Sequence, residues 1–150
     1  MTHVRTLLRR QIKKVLDEGL SSDDYRIFAN RKNALNHEPD RVVIDISFLN
    51  DQTQSKEVMN DKRTHIASLY IRVQRSAPDG ELEELLDEDE VLITRLIHAY
   101  DWTGMIEEPL EIMQANYSDD PSGGHTMGSI ILRYDIMYRI DRRDPEQFIP

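Results

Sequence analysis

The run ELEELLDEDE, residues 81–90, holds seven carboxylates at Glu81, Glu83, Glu84, Asp87, Glu88, Asp89 and Glu90, and oxygen-rich clusters of this kind are what Ca2+ and Mg2+ bind. A calcium loop, however, needs its ligands at set positions around a glycine turn. This run is instead broken by leucines at helical spacing, so it reads as the solvated face of a helix. A third reading, an acidic patch facing DNA or a basic neighbour in an assembly, stays open. The five histidines, His3, His37, His65, His98 and His125, are scattered, without an HExxH motif or a pair at helix spacing. His98 reads as a helix-flank residue. The segment DDPSGGHTMG sets Ser122 and His125 beside glycines but lacks both the GxSxG nucleophile elbow and the GxxxxGK[ST] phosphate loop, which leaves a turn between two strands. Tyr134 and Tyr138 share one face of a strand, where single-strand nucleic-acid binders place stacking aromatics. With an acidic chain, packing into a core is the favoured role.

The elements that must position these residues belong to one domain spanning residues 1–150, a length that supports a single core. The chain is 39% hydrophobic and 31% charged, too apolar for disorder and too charged for a membrane protein. Its net charge of -9 argues against wrapping duplex DNA, which depends on Lys and Arg displacing counterions from phosphates. Without cysteine, the fold relies on neither disulfides nor thiolate metal sites, and synthesis in a reducing cytoplasm is expected. Basic residues punctuate the first twenty positions where a secretory signal would be uniformly apolar, and no stretch has the roughly 20 apolar residues that span a bilayer.

Along the chain, Val4, Leu7, Leu8, Ile12, Val15, Leu16 and Leu20 recur at three- and four-residue spacing, predicting a helix closed by Gly19. Its solvent face carries Arg5, Arg9, Arg10, Lys13 and Lys14, with Asp17 and Glu18 at the end where the helix dipole prefers cations. YRIF is a short strand candidate, followed by a turn-rich segment with its Asn and Pro residues. RVVIDISFL alternates, with Val42, Ile44, Ile46 and Phe48 on one face. In HIASLYIRVQRSA, Ala67, Leu69, Ile71 and Val73 do the same, so the two predict an antiparallel hairpin. The polar stretch between them, Asn50 to Arg63, is longer than ordinary hairpin loops and is expected to be a tip that is mobile or used for contact. After Pro78, Asp79 and Gly80, the residues Leu82, Leu85, Leu86, Leu92, Ile93, Leu96 and Ile97 predict a second amphipathic helix. MIEEPLEIMQANY reads as an edge strand on account of Pro109, and Asn116 to Thr126 as a loop. The last strand puts Ile130, Leu132, Tyr134, Ile136, Tyr138 and Ile140 on a packing face. Ile131, Arg133, Asp135, Met137, Arg139 and Asp141 face water or a partner. Met105, Met113, Met127 and Met137 near the last two strands suit either core filling or an adaptable contact surface. The expected fold class is α+β: an antiparallel or mixed sheet with two main helices packed on one face.

The basic helix LLRRQIKKVL, the hairpin RVVIDISFL to SLYIRVQRS, the helix LLDEDEVLITRLIHAY and the closing strand ILRYDIMYRI occur in an order, over nearly the whole chain, that resembles the tail terminator family of long-tailed bacteriophages, the group of the lambda-type minor tail protein U. The likeness lies in size, layout and texture rather than in a signature motif. It implies a structural virion protein, not an enzyme, with no cofactor, catalytic residue or bound metal. Such a protein forms a homo-oligomeric ring, usually a hexamer, at the head-proximal end of the tail. There it stops polymerisation of the tail tube protein and offers the surface to which a head-side connector or neck protein docks. Phage DNA passes through the lumen without specific binding, and an acidic composition is compatible with that passage. The residues this reading nominates for assembly contacts are Arg5, Arg9 and Arg10 on the first helix and Asp51, Lys56, Lys62 and Arg63 at the hairpin tip. Asp87 and Glu88 on the second helix join them, with Asp119, Asp120 and His125 in the following loop and Arg133 and Arg139 on the last strand. Closed rings join unlike patches, and the opposite charges of the two helices motivate a contact between the first helix of one subunit and the second of the next. Two other readings stay open: a different neck or tail-completion ring protein, and a small metal-dependent hydrolase using His65, His98 or His125.

Overall fold

The computed structural model describes residues 3–29, 42–57, 62–78, 80–106, 112–122, 125–141 and 144–148. Helix α1, Val4–Gly19, begins where the His3 side chain accepts a hydrogen bond from the Arg5 backbone N–H at 3.1 Å, satisfying one of the donors a helix start leaves free. It ends as Leu20 turns extended while its N–H still reaches the Leu16 carbonyl. Val4, Leu8, Ile12, Val15 and Leu16 are buried, as their spacing requires, whereas Leu7 sits at the boundary. Asp17, unfavourably placed for the helix dipole, is paired with Lys13 one turn back at 2.5 Å.

Strand β1, Tyr25–Phe28, runs parallel to β2, Val42–Glu57, which pairs antiparallel with β3, Lys62–Pro78. Helix α2, Leu82–Ala99, follows, then β4, Ile112–Ser122, β5, His125–Asp141, and the short β6, Asp144–Phe148. The sheet order is β1-β2-β3-β5-β4, with β6 also paired to β5. Every pairing after β1–β2 is antiparallel. The fold is thus α+β with a mixed sheet, β1–β2 being its parallel pair.

Two polar segments differ from expectation. Asn50 to Glu57 continue β2 and Lys62 to Thr64 open β3, so Asp51, Lys56, Lys62 and Arg63 stand on paired strands and not on a hairpin tip. Register shifts between Phe48 and Asn50 and between Thr53 and Ser55 let the ladder continue where the hydrophobic alternation stops, because a bulge absorbs an extra residue without ending the pairing. Likewise Asn116 to Ser122 belong to β4 and His125 and Thr126 to β5, so Asp119, Asp120 and His125 are strand residues too. Pro121 is tolerated because β4 is an edge strand. The edge assignment of this segment stands, although Pro109, on which it was based, lies outside the described residues, as does the turn-rich segment 30–41. Nothing in the chain's alternation signalled β6.

Register places Ile44, Val73 and Ile130 in one row, Ile46, Ile71 and Leu132 in the next, and Phe48, Leu69 and Tyr134 in a third. These residues form a single core cluster with the buried residues of both helices. Each such Leu or Ile contributes about 1.5–3 kcal/mol by leaving water. Tyr134 and Tyr138 are wholly buried, which makes them core residues and not an exposed stacking platform. At the join of the helices, a methyl added to Gly19 would stand 2.3 Å from Leu96 Cδ2. We expect Gly19→Ala to force Leu96 to another rotamer and to lower unfolding free energy by about 1 kcal/mol, read by urea titration.

Candidate functional site

Helix α2 carries the molecule's most unusual side chain. Its buried positions, Leu82, Leu86, Asp89, Ile93 and Ile97, follow one helical stripe in which an aspartate takes an apolar place. Asp89 is 1% exposed, and the solvated-face reading of the acidic run fails at this residue. Tyr25 from β1 donates its hydroxyl to Asp89 Oδ1 at 2.8 Å, and Arg75 from β3 donates Nη1 to Oδ2 at 2.8 Å. Burial raises the Asp89 pKa above the usual carboxylate range, opposed by the bonds from Tyr25 and Arg75 and by the charge of Arg75. Burial, then the bond to Asp89, raises the Tyr25 phenol. The three groups tie α2 to two strands.

The next stripe of α2 faces the β4 side of the sheet. Tyr117 pairs with Ile130 in register and therefore shares the core face of the sheet, yet it is 50% exposed. Ala115, opposite Leu132, is exposed as well. The core face is open at this edge. Tyr117 donates its hydroxyl to Asp87 Oδ1 across the opening. That bond, a small desolvation and the charges of Asp87, Glu90 and Glu83 push the phenol up to about 12. Burial, reinforced by Asp87, raises Glu90 as well. A shallow cavity of about 640 Å³ runs along Asp87, Glu90, Val91, Thr94, Arg95 and His98. Val91 is 46% exposed and Leu92 beside it 41%. Tyr134 on β5 is wholly buried, with Thr94 of α2 next to its hydroxyl. Burial raises this phenol, hydrogen bonding from the Thr94 side chain lowers it, and the charge of Glu90 raises it further.

The other candidate contact residues fall into separate places. Arg9 bonds Thr6 at 3.0 Å and lies over the Phe48 ring. Burial, then Arg5 and Arg10, lowers its pKa, the mark of crowded positive charge. Arg10 is exposed on the same helix, and no described carboxylate pairs with it or with Lys14. Glu88 is exposed near Asp87 on α2. On the polar face of the sheet, Arg133 bonds Asp135 at 3.1 Å, and Ser68 donates to the same carboxylate at 3.2 Å. Asp51, Lys56, Lys62, Arg63, Asp119, Asp120, His125 and Arg139 are fixed by backbone pairing alone, their side chains lying outside the described ones.

The sequence reading missed Asp89, Thr94, Tyr117 and the Tyr134 hydroxyl as site residues. For Asp89 the signal was present in its spacing, three residues after Leu86 and four before Ile93. His65 stacks on Tyr138 with centroids 5.4 Å apart, and His98 is exposed on the last turns of α2. Among the described residues no group of three or more His, Asp or Glu is gathered as a metal site, and no helix is long and apolar enough to cross a membrane. Compared with protein-family models and with curated proteins, the chain matches none.

Proposed function

We propose that this chain is a subunit of a ring that caps the head-proximal end of a phage tail tube, ends the growth of the tube and presents the surface for head joining. The single observation that carries the assembly part is the open α2–β4 edge. An eleven-residue edge strand with a half-exposed tyrosine and neighbouring exposed Val91 and Leu92 is a surface suited to being covered by protein. The phage part rests on the resemblance of LLRRQIKKVL, RVVIDISFL, LLDEDEVLITRLIHAY and ILRYDIMYRI, in that order, to tail terminators. The two helices also carry opposite charge, which favours unlike patches meeting around an axis over like patches meeting in a dimer. In this role the chain acts by geometry, and its partners are its own copies, the tube protein and a neck protein.

Tube growth tests the reading. Tail tube protein polymerising in the presence of this chain is expected to yield tubes arrested at shorter lengths, with the chain bound at one end. Tubes that grow unhindered while the chain binds isolated connectors would instead identify it as another neck ring protein.

A further inference from the structure

We propose that the outward face of α2 docks antiparallel on the same face of a second copy, Val91 meeting Val91 at a two-fold axis and the carboxylates of each helix lying along Arg95 and His98 of the other. The contact joins like patches and so stands apart from the ring reading: it pairs two chains, or two rings face to face.

The order of side chains along this face specifies the occupant. Glu84, Asp87 and Glu88 precede Val91, Arg95 and His98 follow it, and all six are exposed. Val91 lies about one turn from Asp87 and from Arg95, and about two turns from Glu84 and from His98. A copy turned about an axis through Val91 therefore sets Arg95 beside the partner's Asp87 and the partner's Glu88, and His98 beside the partner's Glu84. The same pairs recur on the other side of the axis, as a two-fold contact requires. A parallel copy would instead set carboxylate against carboxylate, which is repulsive. The guanidinium fork of Arg95 suits two neighbouring carboxylates, and a ring N–H of His98 donates to a third. Asp87 uses Oδ1 for Tyr117 and keeps Oδ2 for the partner. At the centre Val91 is 46% exposed, so each copy covers apolar surface that the free chain leaves in water. The shallow cavity lined by Asp87, Val91, Arg95 and His98 provides a groove for the side-chain ridge of a facing helix. The face is open within one subunit, because α1 meets α2 on another flank, where Gly19 lies against Leu96.

Sedimentation velocity of the full chain over a range of concentrations tests this. The parent should double in mass as concentration rises. Glu84→Lys with Glu88→Lys, and separately Arg95→Glu with His98→Glu, should each weaken that pairing at least about tenfold. The two variant chains mixed in equal amounts should pair to within about threefold of the parent, because each carries the charges that the other's face now lacks. Docking of α2 on an unlike patch gives no such recovery. Should a double variant prove unfolded by circular dichroism, Val91→Glu and Val91→Lys repeat the test at a position already half in water: each alone should stay apart, since like charges meet at the axis, and the mixture should pair. A parent that never doubles in mass, reversed chains that pair as well as the parent, or a mixture that stays apart would overturn the docking. Tail tubes still capped by such a chain would leave the ring reading intact, and tubes left bare by a chain that pairs as described would overturn the ring reading alone.

Discussion

Asp89→Ala is expected to lower the unfolding free energy by about 3 kcal/mol, the low end of the cost of removing one partner from a buried pair, because Arg75 keeps 20% of its side-chain surface in water. For a chain of this length that is a fall of about 6–12 °C in Tm. Tyr25→Phe should cost only about 1 kcal/mol, since it removes one neutral donor and leaves the ion pair in place. The same carboxylate gives a signed dependence on pH. Its folded pKa lies above the unfolded value, so the folded state takes up the proton first as pH falls. Asp89 therefore disfavours the fold most at neutral pH, and that penalty is relieved as pH falls through the raised value toward the ordinary 3.8. The stability of the parent minus that of Asp89→Asn, measured by urea titration at each pH, should rise across this window on acidification. A flat difference would show that the carboxylate is not held in the buried environment described.

Trp102→Ala should be costlier, at about 3–5 kcal/mol. The indole is 8% exposed and donates Nε1–H to the Ile97 carbonyl at 2.9 Å, one of the last four acceptors that α2 leaves without a helical partner. Tyr100 meets it edge-on at 4.6 Å. Trp102→Phe retains most of the buried ring and loses the bond, which should cost about 1–2 kcal/mol. Asp89 near the middle of α2 and Trp102 beyond its end fasten the helix that carries Asp87, Glu90 and Thr94. Both alanine variants should for that reason also weaken self-association, even where most of the chain remains folded.

Where one face of an element is buried, the pattern of the chain was enough to place it. α1 and α2 could be read from their apolar stripes, and the packing face of β5 from the alternation of Ile130, Leu132, Tyr134, Ile136 and Tyr138, all wholly buried. Residues 50–57 and 116–122 were misread as connections for one physical reason: a strand whose side chains are polar on both faces has no two-residue hydrophobic period to betray it, and its pairing is dictated by the neighbour already in place. The partners of Asp89 were illegible for another reason. Tyr25 lies 64 positions and Arg75 14 positions away, and only the sheet order brings β1 and β3 beneath α2. The α2–β4 opening was hidden in the same way. Asp87 was nominated for its charge, but nothing before the fold was known linked it to Tyr117 on a strand thirty positions later. The opposite charges of the two helices were visible from the start, and the structure adds a cavity and exposed apolar surface at one of them.

The proposal that this chain works as a subunit of a ring seated on a tail tube is tested most directly by electron microscopy of the purified protein mixed with phage tail tubes. The account predicts closed rings of one size and tubes bearing a single ring at one end. Tubes with both ends bare, beside a protein that remains monomeric, would contradict it.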